Sequence, residues 1–199
     1  MTDNLLTRLS GALAMAAGLL LALAAWLQSL EPVGCIGDDC LDQPMRDAPT
    51  AVTVLLDLGG VLLVGSVLGI GLLLRRRGAL GRLGVTGCTL LVAGAAILAA
   101  GGVFAVLFPG PSEDAMPGFV IPGFSALAIG LFLLAITVFR AHLVPTWSIA
   151  LVALGVVLLA LVNEQTSRVL FALPFCLAWM VAGGLLVRRA AEGSPVRAT

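Results

Sequence analysis

Long apolar runs separated by short polar segments dominate the hydropathy pattern of this chain. Six runs cover about residues 11–30, 51–74, 84–108, 119–139, 146–163 and 169–187. Several reach the roughly 20 residues at which a helix, rising about 1.5 Å per residue, crosses a hydrocarbon core. The runs are apolar on every face and lack the two-residue alternation of barrel strands. The pattern therefore predicts an all-α fold, a polytopic transmembrane helix bundle of six spans that forms one domain over residues 1–199.

The composition is typical of a membrane protein and limits the kinds of partner that we expect. Hydrophobic residues make up 60% of the 199 positions and charged residues 11%, whereas a soluble domain is about one quarter charged. The formal net charge is zero, which gives no basis for nucleic-acid binding. The predicted loops, about 20 residues or fewer, are too short to fold as separate domains. We expect the lipid bilayer, other membrane subunits or a second copy of the chain as partners, and no nucleic acid.

The basic residues indicate how the spans are oriented. All 11 are arginine, and nine of them fall in segments that share a side with the two termini. The other two, Arg46 and Arg168, fall on the opposite side. The positive-inside rule then places both termini in the cytoplasm. Arginine without lysine, together with many alanines and glycines, suggests a high-GC bacterial genome, so we expect a multi-pass protein of the bacterial cytoplasmic (inner) membrane.

The first run has a second interpretation. Arg8, followed by apolar residues and the letters ALAA, is also a pattern found in cleaved signal peptides. Cleavage would leave five spans. The run exceeds the usual hydrophobic region of about 7 to 15 residues, and no A-x-A site precedes a polar segment. We therefore favour a retained first span.

The segment GCIGDDCLD, residues 34–42, holds two cysteines and three aspartates between the first two runs. The predicted topology places it on the outer, oxidising side of the membrane, where disulfides persist. We expect Cys35 and Cys40 to form a disulfide, because Gly34 and Gly37 allow the tight turn that such a ring requires.

Other interpretations of this loop stay open. A redox pair usually has the Cys-x-x-Cys spacing and a lowered thiol pKa, whereas the spacing here is wider and the neighbouring carboxylates would raise the pKa. Lipid attachment needs a small apolar box before the cysteine, where this chain has EPVG. Asp38, Asp39 and Asp42 spell a DDxxD pattern that resembles the Mg²⁺-diphosphate motif of prenyl-transferring enzymes. The second acidic cluster of that motif is missing, so these are weak metal candidates and we expect no cofactor.

Asp57 is the one acidic residue inside a predicted span. An ionised aspartate at the bilayer centre costs about 2.5–3.5 kcal/mol, which makes such residues functional candidates. Asp57 could instead lie in the headgroup layer. Glu164 precedes Arg168 by four residues, and an ion pair at the outer rim is the simpler interpretation of that spacing. If Asp57, Glu164 and Arg168 converge, they line the mouth of an outward-facing pathway.

Two features of the second run concern helix packing and duplication. Gly65 and Gly69 form a G-x-x-x-G motif, which lets a neighbouring helix approach closely, either within the chain or between copies. A shift of 65 residues places Gly65 on Gly130 and Arg75 on Arg140. This faint internal repeat is of the kind that builds many transporters.

Three segments from about Gly84 onward carry a resemblance to a protein group. They are GRLGVTGCTLLVAGAAILAAGG, FRAHLVPTWSIALVALGVVLLAL and LPFCLAWMVAGGLLVRR. The chain resembles uncharacterised small six-helix integral membrane proteins of high-GC bacteria, over about half of its length, and the resemblance brings no activity.

The motifs of common enzymes do not occur in this sequence. It has no nucleotide-binding loop, no metalloprotease helix motif and no nucleophile elbow. We therefore expect a non-catalytic protein, an accessory or scaffold subunit of a membrane complex. A small carrier or permease with Asp57 in its pathway is the alternative, and a lipid-modifying enzyme that uses the outer acidic loop is the third interpretation.

Overall fold

The computed structural model describes residues 3–34, 46, 48–108 and 115–192, and its regular elements are all helices. The elements are α1 (Asp3–Leu30), α2 (Thr50–Arg76), α3 (Gly81–Leu107), α4 (Pro117–Arg140), α5 (Thr146–Leu159), a 3₁₀ helix (Ser167–Ala172) and α6 (Leu173–Ala191). The all-α prediction is confirmed over these residues.

Within the part of the chain that the structure describes, five helical segments are long and apolar enough to cross a membrane. They are α1, α2, α3, α4 and the continuous segment Ser167–Ala191. The prediction of apolar membrane helices is confirmed at this level. The fifth predicted run differs, because α5 has only 14 residues, or about 21 Å at the helical rise.

The end of α5 has a local cause. Ala160, Leu161 and Val162 each donate an N–H to the carbonyl three residues earlier, so the helix tightens and stops. Asn163 then accepts the Gln165 N–H on its side-chain oxygen at 2.9 Å. An asparagine that bonds the backbone two residues ahead favours a turn over a helix. The predicted span over 146–163 therefore overruns the helix by four residues.

The last run begins as a 3₁₀ helix and becomes α-helical at Leu173. The proline itself predicts a kink at Pro174, in the outer half of the sixth run. Pro174 lies in the first turn of α6, where a residue without an N–H is tolerated because those groups have no partner inside the helix.

The chain divides into two compact units. Unit 1 comprises Met1–Ile70 and His142–Thr199, and unit 2 comprises Gly71–Ala141. In unit 1, α1 and α6 pack closely over glycines. A Cβ atom on Gly11 would lie 2.6 Å from the Gly183 oxygen, and one on Gly18 would lie 2.5 Å from the Cys176 oxygen. From one contact to the next, the residue number increases on α1 and decreases on α6, so the two helices are antiparallel.

Unit 2 contains a second antiparallel pair, α3 and α4. A Cβ atom on Gly94 would lie 2.7 Å from the Gly123 oxygen, and one on Gly130 would lie 2.8 Å from the Gly87 oxygen. Here too the residue numbers of the contacts increase on one helix and decrease on the other, as in any antiparallel pair. Backbones this close require small residues at the crossing, as in other membrane helix pairs.

Both pairs use the same spacing of small buried residues. Each of the four helices places one at every seventh position: Gly11, Gly18 and Ala25; Cys176, Gly183 and Ala190; Gly87, Gly94 and Gly101; Gly123, Gly130 and Thr137. A seven-residue repeat keeps one seam facing a partner along its length and is typical of left-handed helix pairs.

Candidate functional site

Arg46 joins three segments at one end of unit 1. Its side chain is buried, with 8% of the residue exposed. Nε donates to the Pro32 oxygen at 2.7 Å and Nη2 to the Glu31 oxygen at 2.8 Å, both just after α1. Nη1 donates to the Glu164 oxygen at 3.0 Å and the Thr166 oxygen at 3.4 Å, both before the 3₁₀ helix.

Gln165 completes this arrangement, which we call the Arg46 junction (residues 31–34, Arg46 and residues 163–166). Its buried side-chain oxygen accepts the Arg46 N–H at 2.5 Å, and its backbone oxygen accepts the Gly34 N–H at 2.9 Å. The guanidinium is thus held by carbonyl oxygens of two distant segments. Carbonyl dipoles can satisfy a buried cation when every donor finds an acceptor.

The buried hydroxyl groups of unit 1 also serve structure. Ser10, Ser66 and Ser148 each donate to a carbonyl three or four residues earlier, at 2.7–2.8 Å. Ser66 in turn accepts the Trp179 Nε1–H at 3.3 Å. Hydroxyls satisfied by nearby backbone in this way are ordinary features of apolar helices, and they supply no convergent set for catalysis.

Asp57 is exposed on α2. Its side chain makes no hydrogen bond or ion pair with a described residue. It precedes Arg75 by 18 positions, so it lies about 27 Å along the helix axis from that arginine. If Arg75 marks one edge of a hydrocarbon core of about 30 Å, Asp57 lies close to the other edge.

The surface around Asp57 includes a glycine with open space beside its backbone. Thr53, Asp57, Gly60 and Val64 are spaced at i, i+4, i+7 and i+11, and we call this surface the Asp57 face. Thr53 and Asp57 are exposed and the other two are half-buried. A Cβ atom on Gly60 would meet nothing within 4 Å, whereas one on neighbouring Gly59 would lie 2.8 Å from the Leu21 side chain.

The other two pathway candidates are exposed as well. Glu164 lies in a turn and Arg168 in the 3₁₀ helix, so their four-residue spacing does not have α-helical geometry. No ion pair joins them in the described part of the chain. The Arg168 N–H donates to the Thr166 hydroxyl at 3.2 Å, which caps the 3₁₀ helix. Nor does either of them form a hydrogen bond or ion pair with Asp57.

The G-x-x-x-G motif faces α1 inside unit 1. A Cβ atom on Gly69 would collide with the Ser10 hydroxyl, and one on Gly65 would lie 3.5 Å from the Leu13 side chain. Gly69 therefore has a packing role between two helices of the same chain.

The outer-loop candidates lie outside the described residues. These are Cys35 and Cys40 of the expected disulfide and the weak metal candidates Asp38, Asp39 and Asp42. Cys88 and Cys176, which lie in helices, have free thiols. Within 3–34, 46, 48–108 and 115–192, no three histidine, cysteine or acidic residues are grouped as a metal site.

Sequence reasoning singled out Asp57 but did not find the Arg46 junction. Arg46 and Gln165 are 119 positions apart, and no short motif relates them. The only available signal was a single arginine in an outer loop. Comparison with protein-family models, curated proteins and solved structures yields no match to this chain.

Proposed function

We propose that this chain is a non-catalytic integral membrane protein that serves as an accessory or scaffold subunit of a membrane complex. The observation that carries this proposal is the Asp57 face of α2. Ionisable residues within membrane spans usually face a bundle interior or a water-filled cavity. Asp57 instead lies on an exposed side of its helix, where a neighbouring protein can reach it.

Gly60 supports the same conclusion. A glycine in a helix costs up to about 1 kcal/mol relative to alanine, and most helical glycines of this chain offset that cost by a close internal contact. Gly60 has no such contact. Beside an exposed aspartate, it leaves room for a helix of another subunit to approach the backbone of α2.

The proposed setting is a bacterial cytoplasmic membrane crossed six times, with both termini in the cytoplasm. The excess of arginine in the segments near the termini supports this orientation. Arg8 near the start of α1 donates to the Ala190 oxygen near the end of α6 at 3.5 Å. The start of α1 and the end of α6 therefore lie at the same end of the α1/α6 pair. We further propose that Cys35 and Cys40 form a disulfide in the first outer loop.

The experiment compares two bulky substitutions at glycines that have open space around them. Gly60→Leu and its control Gly102→Leu add the same side chain, and neither Cβ atom would meet an atom within 4 Å. Both variants should fold. After gentle extraction from the native membrane, native mass spectrometry should show a co-purifying subunit in fixed ratio with wild type and Gly102→Leu, and its loss with Gly60→Leu.

Two results would count against the accessory role. A lone chain or a homodimer in the wild-type extract would remove the need for a partner. Substrate uptake that depends on the protein, is abolished in Asp57→Asn and is unchanged in Gly60→Leu would favour the carrier, because only the acidic group would then matter.

A further inference from the structure

Five arginines gather at one end of unit 2. α2 ends at Arg76 and α3 begins at Gly81, so Arg75, Arg76, Arg77 and Arg82 flank one short turn. The turn is closed by hydrogen bonds from the Arg77 N–H to the Leu73 oxygen at 3.1 Å and from the Ala79 N–H to the Leu74 oxygen at 2.9 Å.

The fifth arginine, Arg140, reaches this end through helix packing. A Cβ atom on Gly84, in the first turn of α3, would lie 2.9 Å from the Thr137 side chain in the last turn of α4. The C-terminus of α4 therefore lies beside the N-terminus of α3. We call Arg75, Arg76, Arg77, Arg82 and Arg140 the arginine end of unit 2.

The described part of unit 2, residues 71–108 and 115–141, supplies no aspartate or glutamate to the arginine end. All five arginines are exposed, and Arg75, Arg77, Arg82 and Arg140 form no ion pair with a described residue. The guanidinium groups of these four arginines repel one another, and the repulsion is relieved when an anion with several oxygens lies between them. Guanidinium groups bind phosphate oxygens in pairs with a geometry that lysine does not match.

The surroundings of the arginine end match a lipid better than a soluble anion. Large apolar residues within one turn of these arginines on the same helices are exposed: Leu72 at 43%, Leu83 at 38% and Phe139 at 43%. A phospholipid presents a phosphate directly above its acyl chains. Clusters of four to eight basic residues at the end of a membrane helix are a recognised pattern of anionic lipid binding.

We propose that the arginine end is a binding site for anionic phospholipid, with guanidinium groups on the phosphates and exposed apolar residues on the acyl chains. This site lies in unit 2 and goes beyond the accessory role, whose experiment concerns α2 at Asp57 and Gly60. Loss of either property leaves the other measurable.

The test measures lipid binding to the purified full-length protein in detergent by native mass spectrometry. The probes are diphosphatidylglycerol, phosphatidylethanolamine and inorganic pyrophosphate. The site variant is Arg82→Gln/Arg140→Gln, and the control Arg168→Gln/Arg188→Gln removes the same charge from two exposed arginines of unit 1. We expect wild type and control to bind diphosphatidylglycerol within about twofold of each other. The site variant should bind it about thirtyfold more weakly, since two arginines are lost.

Three outcomes would overturn the proposal. One is equal binding of the zwitterionic and the anionic lipid, and another is unchanged affinity in the site variant. The third is pyrophosphate displacing the lipid at equal concentration, which would identify a soluble polyphosphate as the ligand. Circular dichroism and size-exclusion profiles confirm folding of each variant. If the first site variant misfolds, Arg75→Gln/Arg77→Gln, which leaves the α3/α4 contact untouched, takes its place with the same expectation.

Discussion

Arg46 shows how an arginine can be buried among helices without a carboxylate within the described residues. Its guanidinium bonds four backbone oxygens, two after α1 and two before the 3₁₀ helix. Of these four, the Thr166 oxygen also accepts the Val169 N–H at 3.2 Å. The arginine donates to all four and in return has its charge solvated by their dipoles. The side chain therefore fixes the position of two loops that are far apart in sequence.

Replacing Arg46 should destabilise the protein. Arg46→Met keeps the length of the side chain but leaves four carbonyl oxygens without the guanidinium donors, and we expect a loss of about 2–3 kcal/mol in the free energy of unfolding. Arg46→Lys keeps the charge, yet one ammonium cannot reach both loops, so we expect about half of that loss. Unfolding in detergent micelles, followed by circular dichroism, measures the difference.

The exposed Arg168 provides the control for this series. Arg168→Met should change the free energy of unfolding by no more than about 0.5 kcal/mol, because surface substitutions outside a network usually have small effects. If Arg46→Met unfolds with the same free energy as Arg168→Met, the junction contributes nothing to stability.

The cysteine pair between α1 and α2 permits a second chemical test. If Cys35 and Cys40 form a disulfide, an alkylating reagent should label them only after reduction and denaturation, because a disulfide has no thiolate to react. Peptide mass spectrometry after labelling distinguishes them from Cys88 and Cys176, the free thiols in helices. Labelling of the pair without reductant would instead favour the redox or metal interpretation of the loop.

The helix pairs depend on glycines that repeat every seven residues. A Cβ atom on Gly18, Gly94 or Gly183 would lie within 2.7 Å of a backbone oxygen of the partner helix. Membrane helices gain little from the hydrophobic effect when they associate, since lipid is as apolar as leucine. Close van der Waals packing between backbones therefore has to supply much of the attraction within each pair.

A matched pair of substitutions in α3 tests this idea. In Gly94→Ala the new methyl would lie 2.7 Å from the Gly123 oxygen, whereas in Gly102→Ala it would meet nothing within 4 Å. We expect the first to lower the free energy of unfolding by about 1–3 kcal/mol through overpacking. The second should leave it unchanged or raise it by up to about 1 kcal/mol, since alanine is the better helix former. Equal effects of the two substitutions would contradict packing by backbone contact.

The antiparallel α1/α6 pair constrains how often the whole chain crosses the membrane. If α1 and α6 both cross, the segments between them must cross an even number of times. The helices α2, α3 and α4 are long enough to provide three crossings. The fourth must then come from α5, although its length of about 21 Å is short of a core of about 30 Å. A locally thinned bilayer or the turns after Leu159 would accommodate the difference.

Reporter fusions test whether the chain crosses the membrane an even number of times. A fluorescent reporter and a periplasmic phosphatase reporter, fused in turn to each terminus, should both indicate a cytoplasmic location, as six crossings and the arginine distribution require. A third fusion between α4 and α5, after His142, should also report the cytoplasm. If the two termini report opposite sides, α1 and α6 do not both cross the membrane as an antiparallel pair.

Much of the helical architecture could be predicted from residue order alone. Crossing a bilayer demands a minimum apolar length and internal backbone hydrogen bonding, both local properties of a chain. The predicted run over 51–74 accordingly coincides with α2 to within two residues at each end. The prediction was less accurate where one side chain sets a helix boundary, as Asn163 and Pro174 do. The apolar content of the sequence changes little at these positions, so the hydropathy pattern does not mark them.

The candidate sites depended on contacts that no local pattern encodes. The seven-residue glycine repeats are visible in the sequence, but which helix each one faces is decided by packing, and α1 pairs with the helix that is last in the chain. The Arg46 junction likewise needs three segments brought together before its donors find acceptors. Asp57 stood out as a charge among apolar residues, yet only packing determined that it faces outward, because burial is a property of neighbours distant in sequence.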